Sequence, residues 1–128
     1  MDRRGDVLVE FALTATVFFM TILGIMEFGV GIWRFNVVAN LAKEGARRAA
    51  VCGAGTSLTS TDCDIQTYLS GRAYGIGITA TTTPSNLSTV NPGDVVTVQV
   101  QTTLPLMSRL LPQRTLTLKS AANMIAAR

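Results

Sequence analysis

The sequence predicts an α+β fold: one long N-terminal helix, transmembrane and then amphipathic, packed on a small antiparallel β-sheet. Two observations predict it. Residues 7–33, VLVEFALTATVFFMTILGIMEFGVGIW, are almost wholly apolar and run without a break into an amphipathic segment over 34–51. Beyond residue 52 the chain turns rich in Thr, Ser and Gly, and short segments of alternating polarity are separated by turn residues, the period-2 pattern of half-buried strands. With 128 residues in all, residues 52–128 leave room for one small exported domain near the lower size of an independent core.

The elements follow in order. At about 1.5 Å per residue the apolar run extends roughly 40 Å as a helix, more than the ~30 Å of bilayer hydrocarbon. The polar, basic opening MDRRGD is that of a signal peptide, but the apolar core continues well past such a segment without a small-residue cleavage site, so a retained span is expected. Trp33 and Arg34 are expected at its far interface, the indole and a snorkelling guanidinium both suiting the head-group region. Arg3 and Arg4 favour a cytoplasmic N-terminus, whereas Arg34, Lys43, Arg47 and Arg48 count the other way. The first orientation is preferred because the cysteine pair asks for an oxidising compartment.

Over 34–51, Val37, Val38, Leu41, Ala42, Gly45, Ala46, Ala49 and Ala50 recur at helical spacing, opposite Asn36, Asn40, Lys43, Glu44, Arg47 and Arg48. Glu44 precedes Arg48 by one turn, a pair worth a few tenths of a kcal/mol. Ala39, Ala42, Gly45, Ala46 and Ala49 form a small-residue face that admits a close neighbour. The helix is expected to stop at Cys52-Gly53. Residues 54–61 read as loop, and 64–74 as a short helix capped by Asp62 or Asp64. A first strand is expected over 76–83 and a turn region over 84–93, with Asn91-Pro92-Gly93-Asp94 the strongest turn signal. Residues 95–103 alternate cleanly, Val96, Val98 and Val100 against Thr97, Gln99 and Gln101. After an apolar excursion over 104–113, between Pro105 and Pro112, residues 115–125 alternate again as the last strand.

Catalysis is not expected. The chain has no histidine, no serine beside a plausible base and no phosphate-cradling glycine loop after a strand. No cofactor or metal is called for; Asp62 and Asp64 are better explained by capping and solvation than by a cation. The net charge is +3 with scattered basic residues and no aromatic-interleaved basic stripe, which argues against nucleic acid. Cys52 and Cys63 flank a Gly/Ser/Thr-rich loop and are expected to form one disulfide worth about 2.5–3 kcal/mol by the chain-entropy model; two separate buried thiols in a reducing compartment are the alternative.

The residues that demand explanation are the two carboxylates of the apolar run, Glu10 and Glu27, which are expensive in lipid without a partner. Glu10 follows Gly5 in GDVLVEF, directly after the basic leader. This resembles the prepilin peptidase site of type IV pilins, with residues 1–5 as leader, cleavage between Gly5 and Asp6, and Glu10 as the fifth mature residue. A carboxylate there would meet the α-amine freed on a neighbouring subunit; an interfacial glutamate of an uncleaved single-pass protein is the other reading. For Glu27 the alternatives are solvation at the outer interface or a basic residue on a partner helix, which Gly24, Gly29 and Gly31 would let approach. Arg47 and Arg48 read as a solvated or intramolecular face before a partner site.

Three blocks in order, GDVLVEFAL from Gly5, GIMEFG from Gly24 and NLAKEGARRAAV from Asn40, resemble the TadE-like family of tight-adherence pilus proteins. That family often carries a proline near positions 16 or 17, where this chain has Thr16-Val17, so a kink is not implied. The resemblance implies a pilin-like fold and a minor pilin or pseudopilin of a tight-adherence (Flp, type IVc-like) pilus. Such a subunit is single-pass in the bacterial inner membrane, with its C-terminal domain periplasmic or extracellular. It assembles through its N-terminal helix, in which Glu10, Phe11, Gly24, Glu27, Gly29 and Gly31 would serve packing and charge pairing. Its partners would be other pilin-like subunits, a prepilin peptidase, the assembly platform and the lipid bilayer. A monomeric, membrane-anchored envelope binding module is the competing function.

Overall fold

A computed structural model describes residues 3–52, 63–105 and 115–126. Helix α1 spans Arg3–Val51, α2 spans Ile65–Ser70, and three strands follow: β1 (Ile78–Thr83), β2 (Val95–Pro105) and β3 (Thr115–Ile125), with a 3-10 turn at Leu87–Thr89. The sheet is antiparallel in the order β1-β2-β3, so the α+β class is as the sequence predicts. The chain forms two compact units, Met1–Ile32 and Trp33–Arg128.

In Met1–Ile32 the chain is helical from Arg3 onward. Its apolar side chains stand exposed along their length, Phe11 at 71% among them, and among the described residues one stretch of helix is long and apolar enough to cross a membrane. The three threonines of this stretch do not leave their hydroxyls unsatisfied. Thr14, Thr16 and Thr21 each donate to the carbonyl one turn back, on Glu10 (2.9 Å), Ala12 (2.8 Å) and Val17 (2.9 Å), which hides the polar group in the only way an isolated helix allows.

Trp33–Arg128 is a packed α/β layer. Val38, Leu41, Ala42, Ala46 and Ala49 of α1 and Ile65 and Leu69 of α2 cover one face of the sheet, where Val96, Val98 and Val100 of β2 are fully buried. The clean alternation of β2 thus has its physical cause: even-numbered residues meet the helices and odd-numbered ones meet solvent. Gly45 is required by this packing, because a Cβ there would lie 2.9 Å from Leu69 Cδ1 and 3.0 Å from Val98 Cγ1. The small-residue face predicted in α1 is therefore the contact surface for the sheet and α2.

Local chemistry sets the element ends. Asp64 caps α2, its Oδ1 accepting from the N–H groups of Gln66 (3.1 Å) and Thr67 (3.4 Å) and its Oδ2 from Thr67 Oγ1 (2.5 Å). These bonds, the Thr67 hydroxyl first, hold the Asp64 carboxyl below the usual carboxylate range. The Asn91–Asp94 turn closes with Asp94 N–H on the Asn91 carbonyl (3.0 Å) and Asn91 N–H on Asp94 Oδ2 (2.9 Å), and Gly93 supplies the positive φ of 99°. Helix α2 is shorter than the predicted 64–74: past Ser70 the chain continues in tighter turns, with Arg72 N–H on the Leu69 carbonyl (3.0 Å) and Ala73 N–H on the Ser70 carbonyl (3.4 Å). Strand β1 starts at Ile78, not 76, because Ile76 N–H closes a turn onto Ala73 and the Gly77 carbonyl is taken by Thr102 Oγ1. β2 runs on to Pro105, two residues past the expected end, because it stays paired with β3 as far as Thr115. Cys52 and Cys63 form a disulfide with Cα atoms 5.7 Å apart. The expected loop over 54–61, Gly53, Asp62 and most of the excursion over 104–113 lie outside the described residues.

Candidate interaction surface on the N-terminal helix

Every residue singled out for assembly lies on α1 within Met1–Ile32. At 100° per residue, Glu10, Leu13, Val17, Met20, Gly24, Glu27 and Gly31 follow one another at alternating steps of three and four, a single stripe that winds slowly round the helix. The two carboxylates therefore share a stripe with two of the three glycines. Gly29 falls well away from it, and Phe11 flanks it. The stripe was legible in the spacing, since a heptad count through the apolar run finds it.

The two carboxylates sit in different surroundings. Glu10 is exposed beside Asp6, Val7, Val9 and Leu13, which line a shallow open groove with it. Glu27 is half-buried, and its Oε1 is enclosed without a hydrogen-bond partner. A buried carboxylate oxygen without a partner is unfavourable by more than about 1 kcal/mol, so the site is one that a donor would stabilise. Gly24 and Gly29 have open space where a Cβ would stand, as does Gly5. Among the described residues nothing fills the space beside these glycines.

Past the apolar run, Arg34 and Glu44 both have partners within the fold. The Arg34 guanidinium donates to the Thr103 carbonyl (3.4 Å), and its Nε is enclosed. Thr103 lies one residue beyond the β1–β2 pairing, so its carbonyl has no strand partner on that side and the arginine satisfies it. Glu44 binds the Arg72 guanidinium and accepts from Tyr68 Oη (3.1 Å), while Arg48 and Arg72 both stack on the Tyr68 ring, at 5.1 and 4.7 Å from its centre. The helix-face pair read from sequence is thus part of a cluster tying α1 to α2 and the turn after it. Arg48 belongs to this intramolecular cluster; Arg47 is exposed.

Among the described residues, no group of three or more His, Cys, Asp or Glu side chains is placed to hold a metal. Residues 5–47 match the family model of the TadE-like proteins, the family that the three N-terminal blocks resemble. No curated protein and no solved structure matches the chain.

Proposed function

We propose that this chain is a non-enzymatic assembly subunit of a tight-adherence pilus, a minor pilin or pseudopilin held in the bacterial inner membrane by α1. The observation that supports this most strongly is the coincidence of the family match over residues 5–47 with a helix whose apolar surface the chain itself leaves uncovered. A span serving only as an anchor needs no carboxylates. This one has two on one stripe, together with glycines that leave room for a neighbour. In the proposed assembly, helices of adjacent subunits pack along that stripe, and Glu10 meets the α-amine of Asp6 released on a neighbour when prepilin peptidase cuts after Gly5. Glu27 accepts from a basic or polar donor of a partner helix. The small domain faces the periplasm or cell exterior, where its disulfide persists.

The decisive experiment is mass spectrometry of the mature N-terminus from cells with active peptidase. A chain starting at Asp6 is expected; an intact leader would remove the processing step and with it the amine partner of Glu10. Helix–helix crosslinking then separates subunit from anchored monomer. Glu10→Ala is expected to abolish crosslinks through positions 13, 17 and 20 while leaving membrane insertion intact, and unchanged crosslinking would overturn the charge-pairing role.

A further inference from the structure

Two open grooves lie side by side against α1 in Trp33–Arg128 and share Asn40 and Glu44 in their walls. One, of about 410 Å³, is lined by the buried Leu41 and half-buried Val37, with Asn40, Arg72 and Tyr74 exposed around it. The other, of about 570 Å³, runs between Tyr68 of α2 and a row of α1 side chains, Lys43, Arg47 and Arg48. Both are within the size range of small-ligand sites.

Tyr74 is the residue here that folding does not account for. Its φ of 51° is left-handed, a conformation that a bulky side chain disfavours and a glycine adopts freely. Gly75 follows with φ 76°, so a glycine at 74 as well would make the same turn without strain. Packing does not compensate, because the tyrosine is 82% exposed. An aromatic ring held in a strained turn and left open beside a groove points to a contact from outside the chain.

The second groove carries an excess of positive charge. Among the described residues Lys43 and Arg47, both exposed and one helical turn apart, have no ion-pair partner. The carboxylate between them in sequence, Glu44, is already bonded by Arg72 and Tyr68 Oη, so it leaves their charge uncompensated. We infer that the two grooves together bind an acidic glycan, a chain of sugar rings that bear carboxylates. One ring stacks its C–H face on Tyr74, within reach of the Asn40 amide and the Arg72 guanidinium as donors to its hydroxyls. The carboxylate of an adjoining ring accepts from Lys43 and Arg47. A single chain spans both subsites because Asn40 and Glu44 border each groove. Cations alone would suit any polyanion; the open ring, with planar amide and guanidinium groups beside it, is what selects a sugar. The binding is independent of assembly through the apolar helix, since every residue it uses lies in Trp33–Arg128.

The test is titration calorimetry of the full chain in neutral detergent micelles with tetragalacturonate, its methyl ester and tetraglutamate. Tetragalacturonate is expected to bind. The ester, which keeps the sugars and loses the charges, and tetraglutamate, which keeps carboxylates and has no sugar, are each expected to bind at least about tenfold more weakly. Replacing Lys43 and Arg47 together by Gln should weaken tetragalacturonate by a similar factor of about ten or more. Tyr74→Gly should keep or raise the melting temperature, because glycine suits the turn, and yet weaken tetragalacturonate about tenfold. Tyr74→Phe, which retains the ring, should bind as the native chain does. Absence of tetragalacturonate binding, an ester that binds as well as the acid, a preference for tetraglutamate, or native affinity in Tyr74→Gly would each overturn the proposal.

Discussion

Gly24 and Gly45 are the same residue in the same helix, and their surroundings divide the molecule. A methyl group added at Gly24 would meet nothing within 4 Å, whereas at Gly45 it would strike Leu69 at 2.9 Å and Val98 at 3.0 Å. The difference extends to everything around them. In Trp33–Arg128 the helix owes its place to a face of small residues closed against sheet and α2, and its acidic residue Glu44 is bonded by Tyr68 and Arg72. In Met1–Ile32 the large side chains stand exposed, Gly24 and Gly29 have open space, and an oxygen of Glu27 has no hydrogen-bond partner among the described residues. The first region is explained by its own fold; the second has the length and composition of a helix that can cross a membrane.

The largest contrast should come from side-chain truncation. Leu69 is 0% exposed and Phe18 is 60% exposed. Leu69→Ala is expected to destabilise Trp33–Arg128 by about 3–4 kcal/mol, a loss of more than about 10 °C in melting temperature. Phe18→Ala is expected to move the same transition by less than about 0.5 kcal/mol. Circular dichroism melts in micelles read both. Equal effects would mean that the apolar helix is part of the folding core.

Next in size is the disulfide. Replacing both Cys52 and Cys63 with Ser should lower stability by about 3 kcal/mol through the restored entropy of the unfolded loop, and the loss should be confined to the C-terminal unit. Hydrogen exchange resolves this, since amides of β1 to β3 should exchange faster while those near Gly24 keep their rates.

The glycines themselves give a smaller and more pointed test. Alanine in a helix interior is favoured over glycine by about 1 kcal/mol. At Gly24 nothing opposes that gain, so Gly24→Ala should leave thermal stability equal or slightly higher while weakening crosslinks to neighbouring helices. At Gly45 the new methyl group must displace Leu69 or Val98, and overpacking costs about 1–3 kcal/mol. Gly45→Ala should therefore be destabilising by about 1 kcal/mol net. Loss of stability at Gly24 would show that residue to be packed after all.

How far the sequence reaches follows the same division. Period gave the long helix, the strands at 95–103 and 115–125, and the small-residue face, because each is a repeat of one residue class on one side of an element. It also held the stripe that joins Glu10, Gly24, Glu27 and Gly31. What it could not give were contacts between residues far apart in the chain. Gln66 closing the β1 edge, Arg34 reaching Thr103, and Arg72 with Tyr68 gathering on Glu44 each depend on two elements meeting. No spacing encodes them. Arg34 is the instructive case: its place just after the apolar run is legible, whereas its bond to a strand carbonyl past the end of β1 is not.

The smallest effect expected concerns acid, and it rests on Asp64 of the C-terminal unit. Asp64 accepts three hydrogen bonds, two from backbone N–H groups and one from the Thr67 hydroxyl, and its folded pKa lies below the ordinary 3.8. A carboxyl with a depressed folded pKa contributes stability that is fully present above the unfolded value and is lost as pH falls through the folded one. Stability of the C-terminal unit should therefore slope downward as pH drops below about 3.8, with α2 fraying first. Asp64→Asn keeps an N-cap acceptor but has no proton to gain, so its stability should lack this part of the slope and converge on the native chain at low pH. Parallel slopes for the two proteins would show that the acid sensitivity arises at other carboxylates and that the cap acts through its geometry alone.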